Sequence, residues 1–283
     1  MNSPFVTRFA PSPTGWLHRG HAYSAMQAFQ AAQAAGGRFL LRIEDIDVTR
    51  CRPEFEAAIL EDLTWLGLSW DGPIRRQSEH MADYEAALEQ LRAEGLVYRC
   101  FRTRKEVAQA VASAPHGAME TFRSAPLPAA EEARRLARDE PFAWRLSLDA
   151  AEARLGRLGR LTFYEEGAGP AGETGDIQVR PALGGDVILA RKDVGVAYHL
   201  AVVVDDALQG VTHVIRGADL FEATHVQRVL QALLGLPALI YRHHRLLVGP
   251  DGKRYAKRDK AETLRALRGA GVSPQDLRQE MGI

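Results

Sequence analysis

The sequence predicts an α/β protein built on a parallel sheet, and three observations carry that prediction. An apolar run from Phe5 to Phe9 leads through a Pro/Ser/Gly turn into an alanine-rich stretch, Ala22–Ala35, of helical composition. A second apolar run, Arg38–Ile43, follows directly after Gly36–Gly37. Strand, helix and strand at this spacing make a parallel pair with a right-handed crossover. The strand–helix pattern then breaks off near Cys100 and resumes at Asp186, so the sheet is interrupted by an insertion.

Taken in order, the first junction is a tight loop, Pro11–Gly15, running into His18–Arg19–Gly20–His21. A strand–loop–helix junction gathers anions, because free backbone N–H groups and the helix dipole both point at it. His18 and His21 are three apart and share one side of the first helical turn. By themselves these features also fit a plain connecting loop with surface histidines. Gly36–Gly37 is a helix stop. The strand Arg38–Ile43 ends in Glu44–Asp45–Ile46–Asp47, and ligands in such sheets bind at the carboxyl ends of strands. The same acidic residues also suit a solvated turn or a helix cap.

Pro53–Leu66 carries Phe55, Ile59, Leu63 and Leu66 at helical spacing, and His80–Glu94 repeats the pattern through Tyr84, Leu88 and Leu91 before Gly95. Trp65 and Trp70 are read as core. Leu96–Cys100 is a short strand. Residues 99–185 show weak strand alternation, many Ala, Pro and Gly, and the scattered arginines Arg134, Arg135, Arg138, Arg154, Arg157 and Arg160. Those arginines suit phosphate contacts or solvated helix faces equally. Beyond them, Asp186–Arg191 reads as a strand. Ala197–Asp206 reads as a buried helix, although its valines favour a strand. Val211–Arg216 is a strand that places Arg216 at a carboxyl end, like Glu44. Glu222–Leu234 is a helix and Ala238–His243 a last strand. A Pro250–Asp251–Gly252 turn then precedes two short helices, Ala261–Arg268 and Pro274–Met281.

The 283 residues carry 36 basic and 36 acidic side chains and a hydrophobic share of 46%, ordinary for a globular chain. The zero net charge argues mildly against a nucleic-acid binder, without excluding a local basic patch. Runs such as Leu200–Val204 are too short to span a bilayer, so no membrane role is expected. Met1–Pro4 lacks the basic and apolar pattern of a signal peptide. Two cysteines, Cys51 and Cys100, do not make a disulfide framework, which suits the cytoplasm. Of only five lysines, Lys253, Lys257 and Lys260 fall within eight positions.

The whole string Arg8–Phe9–Ala10–Pro11–Ser12–Pro13–Thr14–Gly15–Trp16–Leu17–His18–Arg19–Gly20–His21 resembles the first signature of class I aminoacyl-tRNA synthetases of the glutamate type. Arg42–Arg50, Arg-Ile-Glu-Asp-x-Asp-x-x-Arg, resembles the same group, as does Val214–Leu220. The loop Lys253–Arg258 resembles the second signature, Lys-Met-Ser-Lys-Ser, with Arg254 for its first lysine, Ala256 for its serine, and Lys257 kept. The resemblance covers nearly the whole chain and is weakest over 102–185. It implies a class I synthetase Rossmann-type sheet interrupted by an inserted α+β domain, with a short helical C-terminal segment. The divisions expected are 1–98 and 186–246 for the two halves of the sheet, 99–185 for an RNA-contacting insertion, and 247–283 for the second-signature loop and tail.

It further implies activation of L-glutamate with ATP and Mg²⁺, with His18, His21 and Lys257 catalytic. ATP contacts are expected from His18, Gly20, His21, Lys257 and Arg258. Arg8, Phe9, Ala10, Pro11, Ser12, Glu44, Tyr198 and Arg216 would hold glutamate. Arginine suits such a substrate, since its planar fork matches a carboxylate. A neutral substrate would leave a buried arginine unpaired at a cost of roughly 2–5 kcal/mol. Relatives that modify tRNA commonly carry a zinc knuckle of Cys-x-Cys, tyrosine and a further cysteine. Here Cys100 stands alone, Arg102 replaces the second cysteine and His116 is a weak substitute, so no zinc is expected. About 25 residues follow Lys257, too few for an anticodon-binding domain. That feature is similar to the truncated family of glutamyl-queuosine tRNA(Asp) synthetases, whose acceptor is queuosine in the tRNA(Asp) anticodon. A cytoplasmic monomer is expected. Two other readings remain: a minimal enzyme charging a tRNA 3′ end, and a non-catalytic module binding an acyl-adenylate or RNA.

Overall fold

A computed structural model describes residues 4–112, 121–181, 184–192, 195–247 and 262–283. The chain opens with β1 (Val6–Phe9), buried along its length, and α1 (Arg19–Ala34). Gly36–Gly37 then turns the chain into β2 (Arg38–Ile43). A Cβ on Gly37 would stand 2.2 Å from the Phe5 carbonyl oxygen, so this turn closes only with glycine. α2 (Pro53–Trp65) begins with proline and has Glu54 and Glu56 in its first turn, both favourable at a helix N-terminus. β3 (Arg75–Arg76) and α3 (Met81–Ala93) complete this part. β1, β2 and β3 are parallel neighbours in that order.

The middle of the chain runs β4 (Val97–Cys100), α4 (Arg104–Ala112), α5 (Ala129–Ala137), β5 (Ala143–Leu146), α6 (Leu148–Leu155), β6 (Thr162–Glu165) and β7 (Gly175–Gln178). It continues with β8 (Ile188–Arg191), β9 (Gly195–Val196) and α7 (Tyr198–Leu208). Last come β10 (His213–Gly217), α8 (Phe221–Leu233), β11 (Ile240–His244), α9 (Leu264–Gly269) and α10 (Pro274–Met281). α7 is a helix despite its valines, because every residue from Leu200 to Asp206 is buried and packing overrides propensity.

The strands divide between the sheets differently from the expected boundaries. β4, β5, β8 and β9 form one antiparallel sheet, so Ile188–Arg191 and Gly195–Val196 pair with strands of the insertion and not with the second half of the parallel sheet. β6, by contrast, leaves the insertion and joins β11 in parallel, carrying β7 with it as an antiparallel edge strand, in the order β10–β11–β6–β7. The reason lies in β6: Phe163 and Glu165 are buried, and the Phe163 ring packs 5.4 Å from Tyr241 and 5.8 Å from Phe221. That apolar anchor seats the strand against β11.

β1 and β10 lie side by side, tied by the Thr212 N–H donating to Val6 O and the Val6 N–H donating to Thr212 Oγ1, both at 2.9 Å. The two parallel sets therefore meet at the centre, with the carboxyl ends of β1, β2, β10 and β11 at one edge. Two apolar cores flank the junction. One gathers α3, α7, α8 and the inserted sheet; the other gathers α1, β2, α2, α9 and α10. The C-terminal helices are locally well specified: Thr263 caps α9, while Ser273 and Asp276 form a capping box on α10. No described helix is long and apolar enough to cross a membrane.

Candidate active site

A cavity of about 650 Å³ opens at the carboxyl ends of the central strands. Its wall includes Arg8, Phe9, Ala10 and Ser12 from β1 and its loop, His18, Gly20 and His21 from α1, and Glu44 after β2. Tyr198 from α7 and Arg216 from β10 close the other side. Of the expected glutamate-binding residues, only Pro11 is absent from the lining; it is buried, and its carbonyl accepts the Glu44 N–H at 3.0 Å. Lys257 and Arg258 lie outside the described residues, as do Lys253, Lys260 and His116. The chain leaving that segment is placed, however: the Leu264 N–H donates to Leu17 O at 2.8 Å, and Arg19 pairs with Glu262 at 3.1 Å. The first signature thus holds the residues that follow the second.

The histidines are arranged by the helix start. His18 is the N-cap of α1, and its Nδ1 accepts the Gly20 N–H at 3.1 Å. His21 Nδ1 accepts the His18 N–H at 3.2 Å, completing a reciprocal capping box. Both Nδ1 atoms act as acceptors, so in the neutral rings the proton sits on Nε2. The rings lie 3.8 Å apart. Two Nε2–H donors beside a helix N-terminus are suited to phosphate oxygens.

The two cavity arginines differ in their surroundings. Arg8 donates from Nε and Nη2 to the two oxygens of Asp206 at 2.9 and 3.3 Å. Asp206 also takes Arg42 Nη1 at 2.8 Å. Burial alone would raise the Asp206 pKa, but Arg8 and Arg42 outweigh it and hold the carboxylate below its ordinary range. Arg216 meets neutral acceptors: His243 Nε2 at 3.2 Å, Tyr198 OH at 3.4 Å, Leu220 O at 3.1 Å and Thr224 Oγ1 at 2.7 Å. Among the described residues it forms no ion pair. It is a buried cation facing a cavity, with no counter-charge among the described residues.

Glu44 supplies the opposite sign. It is 9% exposed, and its Oε1 takes Arg42 Nη2 at 3.3 Å. Burial pushes its pKa up, with Arg42 and Arg8 opposing. One wall therefore offers a guanidinium without an ion pair among the described residues, another a carboxylate, and the helix end two imidazoles. The geometry fits a molecule carrying a carboxylate, an ammonium and a phosphate chain.

Residues without an assigned role in the motifs also line the cavity, among them Tyr23, Ser24, Asp219, His244 and Arg245. His244 Nε2 lies 2.7 Å from Ser24 Oγ. The adjacent His243–His244 pair at the end of the last strand was the available signal, since the carboxyl-end rule that selects Glu44 and Arg216 selects them too.

Residues 4–282 match the family model for the catalytic domain of tRNA synthetases class I (E and Q). The chain belongs to this family. Among class I (E and Q) synthetases it is 48% identical over 288 residues to the glutamyl-Q tRNA(Asp) synthetase of Rhodobacter capsulatus, covering 98% of this chain and 100% of that one. Its identity to the glutamyl-Q tRNA(Asp) synthetase of Symbiobacterium thermophilum is 43% over 284 residues, covering 95% and 83%. Among solved structures, a glutamate tRNA ligase from Elizabethkingia meningosepticum in complex with its amino acid aligns with a TM-score of 0.72 at 30% identity. That alignment covers 90% of this chain and 52% of the other, so the chain spans about half the length of that ligase.

Two features of the insertion bear on its partners. Cys100 is buried with Tyr98 and Phe122, and the guanidinium carbons of Arg145 and Arg102 sit 4.7 and 5.7 Å from the Phe122 ring centre. Asp186 ties this corner together, accepting from Tyr98 OH, the Ser124 N–H and the Leu148 N–H. Among the described residues no three His, Cys, Asp or Glu side chains gather as a metal site. Of the six arginines singled out, Arg135, Arg138 and Arg154 pair with acidic side chains and Arg134 bonds a backbone carbonyl. Arg157 and Arg160 are exposed, with no acidic partner among the described residues.

Proposed function

We propose that this chain activates L-glutamate with ATP, without tRNA, and transfers the glutamyl group to queuosine in the anticodon of tRNA(Asp). The observation that carries the proposal is Arg216, a buried cation without a counter-charge among the described residues, across a cavity from Glu44 and beside the α1 histidines. In this reading Arg216 and Tyr198 receive the side-chain carboxylate and Glu44 the α-ammonium. The α-carboxylate attacks the α-phosphorus of ATP, a bond to the bridging oxygen breaks, and pyrophosphate leaves. Catalysis then rests on positioning and on stabilising charge on the phosphoryl oxygens. His18 and His21 donate from Nε2, Lys257 supplies the cation, and Gly20 and Arg258 complete the ATP contacts. Mg²⁺ arrives with ATP as part of the substrate. The insertion is held by the Phe122 and Asp186 contacts in place of a zinc knuckle, with Arg157 and Arg160 available to RNA phosphates. The names of the Rhodobacter and Symbiobacterium relatives support the acceptor. The protein acts as a cytoplasmic monomer.

The test is ATP–pyrophosphate exchange with glutamate, glutamine or aspartate, without tRNA. Exchange with glutamate alone is expected. Radiolabelled glutamate should then enter tRNA(Asp) that carries queuosine and not tRNA(Asp) that lacks it. Exchange that appears only once tRNA is added, or label on the terminal adenosine, overturns the proposal.

A further inference from the structure

Behind Arg216, away from the cavity, lies a buried chain of groups that none of the motifs contains. Arg216 Nε donates to His243 Nε2 at 3.2 Å, and His243 Nδ1 meets Glu165 Oε2 at 2.5 Å. The side chains of His243 and Glu165 are both fully buried. The two ends of this chain decide the proton between them. An arginine N–H can only donate and a carboxylate can only accept, so Nδ1 carries the hydrogen and Nε2 the lone pair. Burial, with Arg216 alongside, keeps the imidazole pKa below its ordinary value against the pull of Glu165.

Glu165 is itself anchored. Its Oε1 accepts the His243 and Gly167 N–H groups, both at 2.8 Å. A Cβ on Gly167 would stand 2.3 Å from His243 O and 2.9 Å from Glu165 Oε1, so the chain closes over the carboxylate only with glycine there.

We propose that Glu165 and His243 are positioning residues for substrate selection, acting through Arg216 to favour a carboxylate over an amide. This rests on the reading of Arg216 as the receptor of the substrate's side chain. A direct carboxylate partner, such as Asp206 is for Arg8, would neutralise the guanidinium and occupy its fork. A neutral imidazole instead fixes Nε and keeps the negative charge of Glu165 one ring away. Nη2 is committed to Leu220 O and Thr224 Oγ1, while among the described residues Nη1 meets only Tyr198 OH. The edge offered to the cavity is therefore Nη1 with the Tyr198 hydroxyl, held at a set angle and still fully charged. A substrate carboxylate supplies the missing charge; a glutamine amide brings no charge and two N–H donors of its own. If His243 lost its tautomer, an Nε2–H would face the Arg216 N–H, and the arginine would turn.

The test uses the full chain in tRNA-free ATP–pyrophosphate exchange, with Glu165→Gln, His243→Phe, His243→Gln and Arg216→Ala, each checked by thermal melting. Glu165→Gln and His243→Phe should raise the glutamate KM about tenfold or more while the ATP KM stays within about twofold. They should also lower the preference for glutamate over glutamine by a similar factor. His243→Gln, whose amide oxygen can accept from Arg216 Nε, should recover much of the glutamate KM. A purely structural pin between β6 and β11 would move both KM values together, or neither, and would not separate Gln from Phe at 243; that result overturns the proposal. If Glu165→Gln does not fold, the two His243 variants decide alone, and equal glutamate KM values overturn it. Arg216→Ala separates the two levels. If it leaves the glutamate KM unchanged, the reading of Arg216 fails. If it raises that KM while Glu165→Gln and His243→Phe do not, only the role of the pair fails.

Discussion

Arg8 and Arg216 are equally buried, each 5% exposed, and their roles diverge because of what each touches. Arg8 faces the cavity with its charge already met by Asp206. It shapes the wall and, through Asp206, is tied to Arg42. Arg216 forms no ion pair among the described residues, as its proposed role as receptor of a substrate carboxylate requires. Removing a desolvated cation that meets substrate only in the site should act on binding, whereas removing a donor to the developing phosphoryl charge should act on rate. Lys257 is the residue whose motif position assigns it the second task. Lys257→Ala should therefore lower the glutamate-dependent exchange rate about 10² or more. An unchanged rate would remove Lys257 from the mechanism.

The start of α1 and the packing of α2 show how single elements serve the site. α1 completes its N-terminus with two imidazoles where serine or aspartate is usual, so the capping groups are also the proposed phosphate donors. α2 contributes a pH-sensitive weakness at its contact with α9. Asp62 on α2 is fully buried, neither oxygen has a hydrogen-bond partner among the described residues, and Arg268 Nη1 is 3.8 Å away. Burial pushes its carboxyl up to about 6, with Glu61 adding and Arg268 and Arg265 opposing. A group raised in the fold from an ordinary 3.8 stabilises the fold when protonated. That contribution is whole below about pH 4 and is lost as pH climbs through 6. Asp62→Asn should thus be more stable than the parent by about 2–3 kcal/mol at pH 8 and equal to it near pH 4. Denaturant unfolding across this range checks it; a gap that does not change with pH would discard the assignment.

Across the whole molecule, the two parallel sets are locked by charge as well as by β1 against β10. Arg42 on β2 is fully buried and reaches Glu44, Asp206 and Gln209 by hydrogen bonds, with Asp205 3.6 Å from Nε. Asp205 in turn takes Arg75, Gln77 and Tyr84. The network joins elements before the insertion to α7 after it, so the halves assemble as one body. Removing its centre leaves buried Glu44 without its hydrogen-bonded cation and takes one of two arginines from each of Asp205 and Asp206. Arg42→Met should destabilise the fold by about 3–5 kcal/mol, read as a fall in the unfolding midpoint. A loss under about 1 kcal/mol would mean that water or rearrangement relieves those carboxylates and that the network does not join the halves.

Local order was legible in the residues alone. The apolar spacing of Pro53–Leu66, the proline and serine that open α10, the glycines after α1 and the carboxyl-end positions of Glu44 and Arg216 all depend on neighbours a few residues apart, where sterics and periodicity act directly. So did the line of cavity residues from Arg8 to His21, apart from Pro11, which turned inward. The long-range pairings were not legible. Arg8 meets Asp206 across 198 residues, and His243 meets Glu165 across 78. β6 reads as a weak strand of the insertion until Phe163 and Glu165 find their places against β11. A buried charge has no sequence signature of its own: the same arginine is a solvated side chain, a neutralised pillar or a receptor, depending on which carboxylate the folded sheets bring within about 3 Å. That choice is made by strand register and sheet order, which belong to the assembled molecule.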